Sequence, residues 1–169
     1  MTVKLKPIQT EQDIVALSPL LETIWREVFP PIIGSAQTEY MLCHYQSPED
    51  IMHEITSGAR YFLIETNRQP IGYVAYEIRV DYLFISKIYL LGSERGKGIS
   101  SELFDWLENQ ALTAGKNRLH LHVNRENSQA IAVYQHKGFS IVQSVVSDIG
   151  GGFVMDDFYM EKLLAESAK

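Results

Sequence analysis

The chain has 169 residues, of which 46% are hydrophobic, and a formal net charge of −6; this length fits one domain, 1–169, that buries a core without disulfides or metals. A single cysteine, Cys43, excludes an internal disulfide and agrees with a reducing compartment, while no apolar run nears the roughly 18 residues of a membrane span. The acidic balance argues against a nucleic-acid partner and suits a cationic small molecule.

In chain order, residues 3–8 read as an edge strand ended by Pro7, and Asp13 as the cap of a helix from Ile14 to Phe29. Ile14, Leu17, Leu21, Ile24 and Val28 give that helix one apolar face, and Pro30-Pro31 stops it. Helices are expected over 35–45 and 48–57, then strands over 61–66, 71–80 and 83–91 as an antiparallel meander with turns at Asn67 and Asp81. Ile99, Leu103, Trp106, Leu107 and Ala111 form the stripe of a crossover helix from Gly98 to Ala114, closed by Gly115. A strand over 119–123 follows, then a helix capped by Asn127 or Ser128 and ended by Gly138. Strands over 139–146 and 153–163 flank the Gly150-Gly151-Gly152 turn. The order predicts an α/β (α+β) fold: a central, mixed, mostly antiparallel twisted sheet of about seven strands with helices on both faces.

The most informative segment runs from Ile88 to Ser100, a strand entering a glycine-rich turn that opens a helix. Gly96 and Gly98 let backbone approach an anion, and the helix aims unpaired N–H groups and its positive end at it. A dinucleotide fingerprint needs glycine where Ser101 stands and an acid near Val123-Asn124; a nucleotide-triphosphatase loop needs Lys followed by Ser or Thr, whereas Gly98 follows Lys97. What fits is Arg95-x-x-Gly98-x-Ser100, which resembles the Gln/Arg-x-x-Gly-x-Gly/Ala loop of the GNAT N-acetyltransferases, with serine in place of the usual last residue. A second segment, Asn127-x-x-Ala130-x-x-x-Tyr134-x-x-x-Gly138-Phe139, is similar to that family's helix signature and lies in the family's order.

The resemblance implies the GNAT fold and acetyl-CoA as cosubstrate, with no metal. It places the pyrophosphate on Arg95, Gly96, Lys97, Gly98, Ile99 and Ser100, and the pantetheine arm and acetyl carbonyl on backbone groups of Ile88, Tyr89 and Leu90 at a bulge that splays two strands. Asn127 would bind the cofactor as well as cap its helix, and Tyr134 would protonate the coenzyme sulfur. Acetyl transfer also needs a group to take a proton from the amine. Some relatives carry a glutamate at the position of Ser86; here Glu77 on the preceding strand, acting through a water, or a water chain alone, is the candidate. Between Glu94 and Lys137 there are six bases against five acids, so the acid excess lies in the flanks, as suits a phosphate-rich cofactor and an amine.

The segments around Glu39 and around Asp156-Asp157 resemble the acceptor helix and terminal hairpin of bacterial polyamine acetyltransferases, which implies those acids as acceptor-binding residues and spermidine or spermine as acceptor. A protein N-terminal or lysine amine and an aminoglycoside are the rival acceptors, and a non-catalytic acyl-CoA-binding sensor is the rival function. The expected partners are acetyl-CoA and a small amine, without nucleic acid or membrane; a homodimer is compatible. The start, Met1-Thr2-Val3-Lys4, lacks the apolar core of a secretion signal, so a cytoplasmic location is expected. His120 and His122 share a strand face without a third ligand at useful spacing, His53-Glu54 lacks a zinc protease's second histidine, and Cys43 reads as core.

Overall fold

Thr10, not Asp13, opens the first helix. In the computed structural model, which describes residues 2–165, β1 (Lys4–Ile8) leads into α1 (Glu11–Val28) through a capping box. Asp13 N donates to Thr10 Oγ1 at 3.1 Å, and Asp13 Oδ2 accepts from the backbone N–H groups of Thr10 and Gln9 at 3.0 Å each. Those bonds hold the Asp13 carboxyl below the ordinary range. The prolines do end α1, but they also occupy the first turn of a short α2 (Pro30–Ile33), where a missing N–H costs nothing. There follow α3 (Ser35–His44) and α4 (Pro48–Thr56), the latter opened by a second capping box between Ser47 and Asp50.

β2 (Arg60–Thr66), β3 (Gln69–Ile78) and β4 (Leu83–Leu90) come next, then a 3₁₀ turn (Gly92–Glu94), α5 (Ile99–Thr113), β5 (Arg118–Asn124), α6 (Ser128–His136), β6 (Ser140–Gly150) and β7 (Phe153–Leu163). The seven strands form one mixed sheet in the order β1-β2-β3-β4-β5-β7-β6, so the expected fold class holds. β1 is an edge strand, which is why Pro7 sits inside it, opposite Phe62, without breaking it. β4 and β5 are parallel, paired from Leu83–Ile85 to Leu119–Leu121; β5 with β7 and β6 with β7 are antiparallel. β6 runs four residues past the expected end at 146, because the ladder with β7 persists to the Gly150↔Phe153 pair.

The chain divides into two units: residues 2–77 with Ser86–Trp106, and Ile78–Ile85 with residues 107–165. In the first, helices cover both faces of the strands. Tyr73 faces α1, its hydroxyl accepting from Trp25 Nε1 at 2.9 Å, whereas Tyr76, of opposite parity on β3, meets the Trp106 ring of α5 at 5.7 Å. α1 buries Ile14, Leu17, Leu21 and Ile24 as expected, and also Trp25; Val28 is only half-buried. In the second unit, Leu83, Ile85, Leu119, Leu121 and Met160 are all buried.

β4 carries one residue more than its partner. Arg79 N donates to Tyr82 O and Leu91 N donates to Ile71 O, so the nine steps from Tyr82 to Leu91 oppose the eight from Ile71 to Arg79. A bulge therefore lies in β4, as expected. Phe84 lies under the Arg79 guanidinium at 5.2 Å, whereas Tyr89 is the ring beside Tyr73, at 5.5 Å. Side-chain alternation has slipped by one between those two β4 residues, a stretch that overlaps the Ile88–Leu90 segment for which the bulge was expected. Here the β3 backbone passes so close to β4 that a Cβ on Gly72 would overlap the Tyr89 carbonyl oxygen and lie 2.9 Å from Leu90 Cδ2. Gly72→Ala should therefore destabilise the fold by about 1–3 kcal/mol, read as a lower urea midpoint at unchanged slope.

Candidate active site

The glycine-rich turn expected to cradle an anion lies in the first unit. After the 3₁₀ turn, Arg95 is extended, Gly96 and Gly98 take φ of 75° and 79°, and α5 begins at Ile99, whose side chain is buried and anchors the helix start. Such φ values favour glycine. A Cβ at either glycine would meet no heavy atom within 4 Å, so the space above the turn is open. Arg95 and Lys97 are exposed beside it, Lys97 Nζ lying 3.3 Å from Glu94 Oε2, and Ser100 sits half-buried in the first turn of α5. Open backbone, two cations and a helix N-terminus together fit a pyrophosphate.

Sequence reasoning missed Glu27. From the last turn of α1 its Oε1 accepts a hydrogen bond from Gly92 N and lies 4.0 Å from Arg95 Nη2, which also donates to Leu90 O at 3.4 Å. One carboxylate thus fixes both the start of the turn and its arginine. Gly92 is the residue that admits it, since a Cβ there would collide with Glu27 Oε1.

On β4, the strand that leads into the turn, is a second unpredicted constellation. Lys87 projects from the apolar run Leu83-Phe84-Ile85-Ser86-Lys87-Ile88 with its side chain 11% exposed and its Nζ 3.7 Å from Glu54 Oε1, which also accepts from Tyr61 Oη at 3.2 Å. Burial pushes the Lys87 ammonium down, while Glu54, Glu77 and Asp50 oppose that shift. Glu77, the expected base, is half-buried and thus already faces an ammonium of its own chain. The hydroxyl of Ser86 is buried without a hydrogen-bond partner among the described residues. Ile88 and Tyr89 are half-buried and Leu90 buried; all three lie beyond the parallel ladder with β5, which ends at Ile85↔Leu121.

In the second unit Asn127 caps α6, its Oδ1 accepting from Ala130 N at 3.3 Å. Tyr134, two turns on, is half-buried, its ring centroid 6.1 Å from that of Phe139; burial pushes its phenol up to about 12, so it is protonated at neutral pH. His122 stacks on Tyr159 at 3.6 Å, and burial, with help from His120 and Arg79, pushes it down to about 4. His120 meets Glu161 at 3.0 Å and stacks on Tyr82. The two histidines thus have partners other than a metal.

The three expected acceptor acids differ in state. Glu39 is held by Arg26, with Nε to Oε1 at 3.1 Å, and Asp156 by Arg125, with Nε to Oδ1 at 3.0 Å. Asp157 is 8% exposed and its Oδ1 has no hydrogen-bond partner among the described residues. Burial first, and Asp156 second, push its carboxyl up to about 6. The folded state therefore keeps a proton that the unfolded chain, titrating at about 3.9, gives up: the stabilisation is complete below about pH 4 and lost as pH rises through about 6. Cys43, expected in the core, is exposed, because α3 buries Thr38, Met41 and Leu42 instead.

Glu27→Ala should free the turn without unfolding α1. Removing a charged acceptor from Gly92 N is worth about 1 kcal/mol at this exposure, so amide exchange over 92–95 should quicken by about 5- to 10-fold, and Glu27→Gln, which keeps an acceptor oxygen, should restore most of the protection.

The family model described as acetyltransferase (GNAT) matches residues 20–139. Among solved structures, the chain is similar to the PaiA N-acetyltransferase of Thermoplasma acidophilum in complex with coenzyme A, at TM-score 0.79 and 21% identity over 96% of this chain and 99% of that one. It is also similar to a chimeric spermidine N-acetyltransferase SpeG from Vibrio cholerae, at TM-score 0.67 and 18% identity over 96% of both chains, and to nourseothricin acetyltransferase, at TM-score 0.58 and 20% identity over 65% of this chain and 68% of that one. With the family model spanning more than half its length, from within α1 to Phe139 just before β6, the chain belongs to the GNAT family of acetyltransferases.

Proposed function

We propose that residues 1–169 act as a single N-acetyltransferase domain that moves an acetyl group from acetyl-CoA to a small polyamine such as spermidine or spermine. The carrying observation is the open turn at Gly96 and Gly98 ahead of α5, flanked by Arg95 and Lys97. The family match spans parts of both units, which supports one working domain. Acetyl-CoA supplies an acetyl thioester, and the protein has to hold it, present a neutral amine and receive a departing thiolate.

Arg95, Lys97 and the N–H groups of the Gly96–Ser100 segment hold the pyrophosphate. Ile88, Tyr89 and Leu90 offer backbone groups to the pantetheine arm, since they lie outside the β4–β5 ladder. Asn127 keeps the start of α6 in place and reaches the cofactor. Tyr134 donates its hydroxyl hydrogen to the sulfur. With the phenol at about 12 and a thiol at about 8.5, full transfer to a free thiolate is uphill, so the hydroxyl acts by hydrogen-bonding the sulfur as charge develops there. For the amine's proton, Glu77 through a water and a water chain alone are the sequence's candidates.

The polyamine acceptor is supported by the net charge of −6, by the carboxylates of Glu54, Glu77 and Asp50 around Lys87, and by the spermidine N-acetyltransferase among the similar structures. Glu39, Asp156 and Asp157 would contact the acceptor. The similarity to an antibiotic acetyltransferase keeps an aminoglycoside as the second acceptor class. Free-thiol release from acetyl-CoA over a panel of polyamines, aminoglycosides, peptides with free α-amines and lysine peptides tests the reading: highest kcat/KM on spermidine or spermine is expected. Coenzyme binding without release on any amine would make the protein a sensor.

Tyr134→Phe removes only the hydroxyl and keeps the ring against Phe139. Turnover should fall about 10²-fold or more, with acetyl-CoA affinity changed much less, and the loss should shrink for an acyl donor with a more acidic thiol. Near wild-type kcat would leave the sulfur's proton to solvent.

A further inference from the structure

Among the described residues, Asp157 is the one acid that is buried, and its Oδ1 has no hydrogen-bond partner there. In the ladder it lies opposite Asn124, the last residue of β5, and two residues from Tyr159, which lies opposite His122. Positions two apart on a strand share a face, so its carboxyl is on the face that carries the stacked His122 and Tyr159 rings. Arg125 is on the other one: its guanidinium lies 4.5 Å over the Phe158 ring and hydrogen-bonds Asp156 and Ser144. Arg125 therefore pairs with Asp156 rather than with Asp157. β5 and β4 are the parallel pair of the sheet, and ligands of such sheets bind beyond the carboxyl ends of parallel strands. At that end of β5 the chain turns into Asn127 and the helix that bears Tyr134.

We infer that Asp157 is the general base of the reaction: its buried carboxylate, with one oxygen that has no hydrogen-bond partner among the described residues, takes a proton from the acceptor nitrogen. The inference rests on the acetyltransferase reading above. Two protons leave an acceptor ammonium during the reaction. Asp157 takes the first and passes it to solvent; the freed nitrogen lone pair forms the C–N bond; the C–S bond breaks with its electrons on sulfur; the second proton ends on that sulfur. Glu77 lies instead among the carboxylates that oppose the shift of Lys87. The groups around Asp157 are His122 and Asn124 from β5, Asp156, Tyr159 and Glu161 from β7, and no charged side chain from Ser140 to Val146 of β6. His122 is neutral through the working range. A carboxyl raised to about 6 is ionised at neutral pH yet basic enough to transfer protons well.

The test is the pH profile of kcat/KM on the best amine for wild type, Asp157→Asn and Glu77→Gln, beside coenzyme A binding by thermal shift. Wild type should lose activity below a midpoint near pH 6. Asp157→Asn should lose about 10²-fold or more in kcat and the acid limb with it, keep coenzyme binding, and melt higher than wild type at pH 8, because the cost of an ionised buried carboxyl is gone. Asp157→Glu should recover part of the turnover, and Glu77→Gln should keep the limb. An Asp157→Asn enzyme with wild-type kcat, or a limb that vanishes in Glu77→Gln instead, would overturn the assignment, as would a lower melting point of Asp157→Asn at pH 8, which would show the carboxylate bonded in the fold. Wild type that binds coenzyme A but acetylates no amine overturns the acetyltransferase reading itself, and the base with it.

Discussion

The extra residue in β4 is the constraint on which the rest of this protein depends. Before it, Phe84 stands under Arg79; after it, Tyr89 stands beside Tyr73 and Lys87 reaches Glu54. The same stretch contains the last rung of the parallel ladder with β5, at Ile85↔Leu121. A strand that changes phase cannot keep both neighbours in register, so its later backbone groups are released from one ladder while Leu91 N still holds β3 through Ile71 O. Gly72 permits the close approach of β3 that this requires. One inserted residue thus leaves the later β4 backbone outside the β5 ladder and delivers the chain into the glycine turn.

The turn itself is held from the side. Backbone with φ near 80° at Gly96 and Gly98 is permitted by glycine but not imposed by it, and glycine is the residue with most freedom to lose. The Glu27 carboxylate, arriving from α1, supplies a fixed acceptor at Gly92 N and a counter-charge for Arg95. Below the turn, Ile99 is buried and ties the helix start to the core. The cradle's open side is therefore backed by a rigid one, which is what a preformed anion site needs if ligand binding is not to be spent on ordering the loop.

What the sequence made legible follows from how local each feature is. The glycine turn was readable because Arg95, Gly98 and Ser100 are close in sequence and glycine at positive φ leaves a visible letter. The α6 signature was readable for the same reason. The Thr10–Asp13 capping box was equally local; its acid was mistaken for the cap because either residue type can fill that place. Glu27 was not readable, since its partner Gly92 lies 65 positions away. The exposure of Cys43 was missed because α3 has no strong apolar face to orient it, only Thr38, Met41 and Leu42. Lys87 did leave a signal, a charge inside an apolar strand, but its meaning needed Glu54 and Tyr61 from other elements. The state of Asp157 needed the register of three strands.

Charge tells the same story about the acceptor. Counting acids on a sequence weighs Glu39, Asp156 and Asp157 alike, yet Arg26 and Arg125 already engage the first two in ion pairs about half exposed to water. Exposed pairs of this kind contribute little either to stability or to a selective field, because water and salt screen them. Asp157 and Lys87 are different: each is buried, each is shifted against its charged form by that burial, and each therefore keeps an unspent electrostatic demand. A buried carboxylate with one oxygen lacking a donor among the described residues lowers its own energy by meeting one, and a buried ammonium by keeping its carboxylates. Which charges stay unmet is thus decided by burial and pairing rather than by their number, which is why the net charge of the chain pointed toward a cation without naming one.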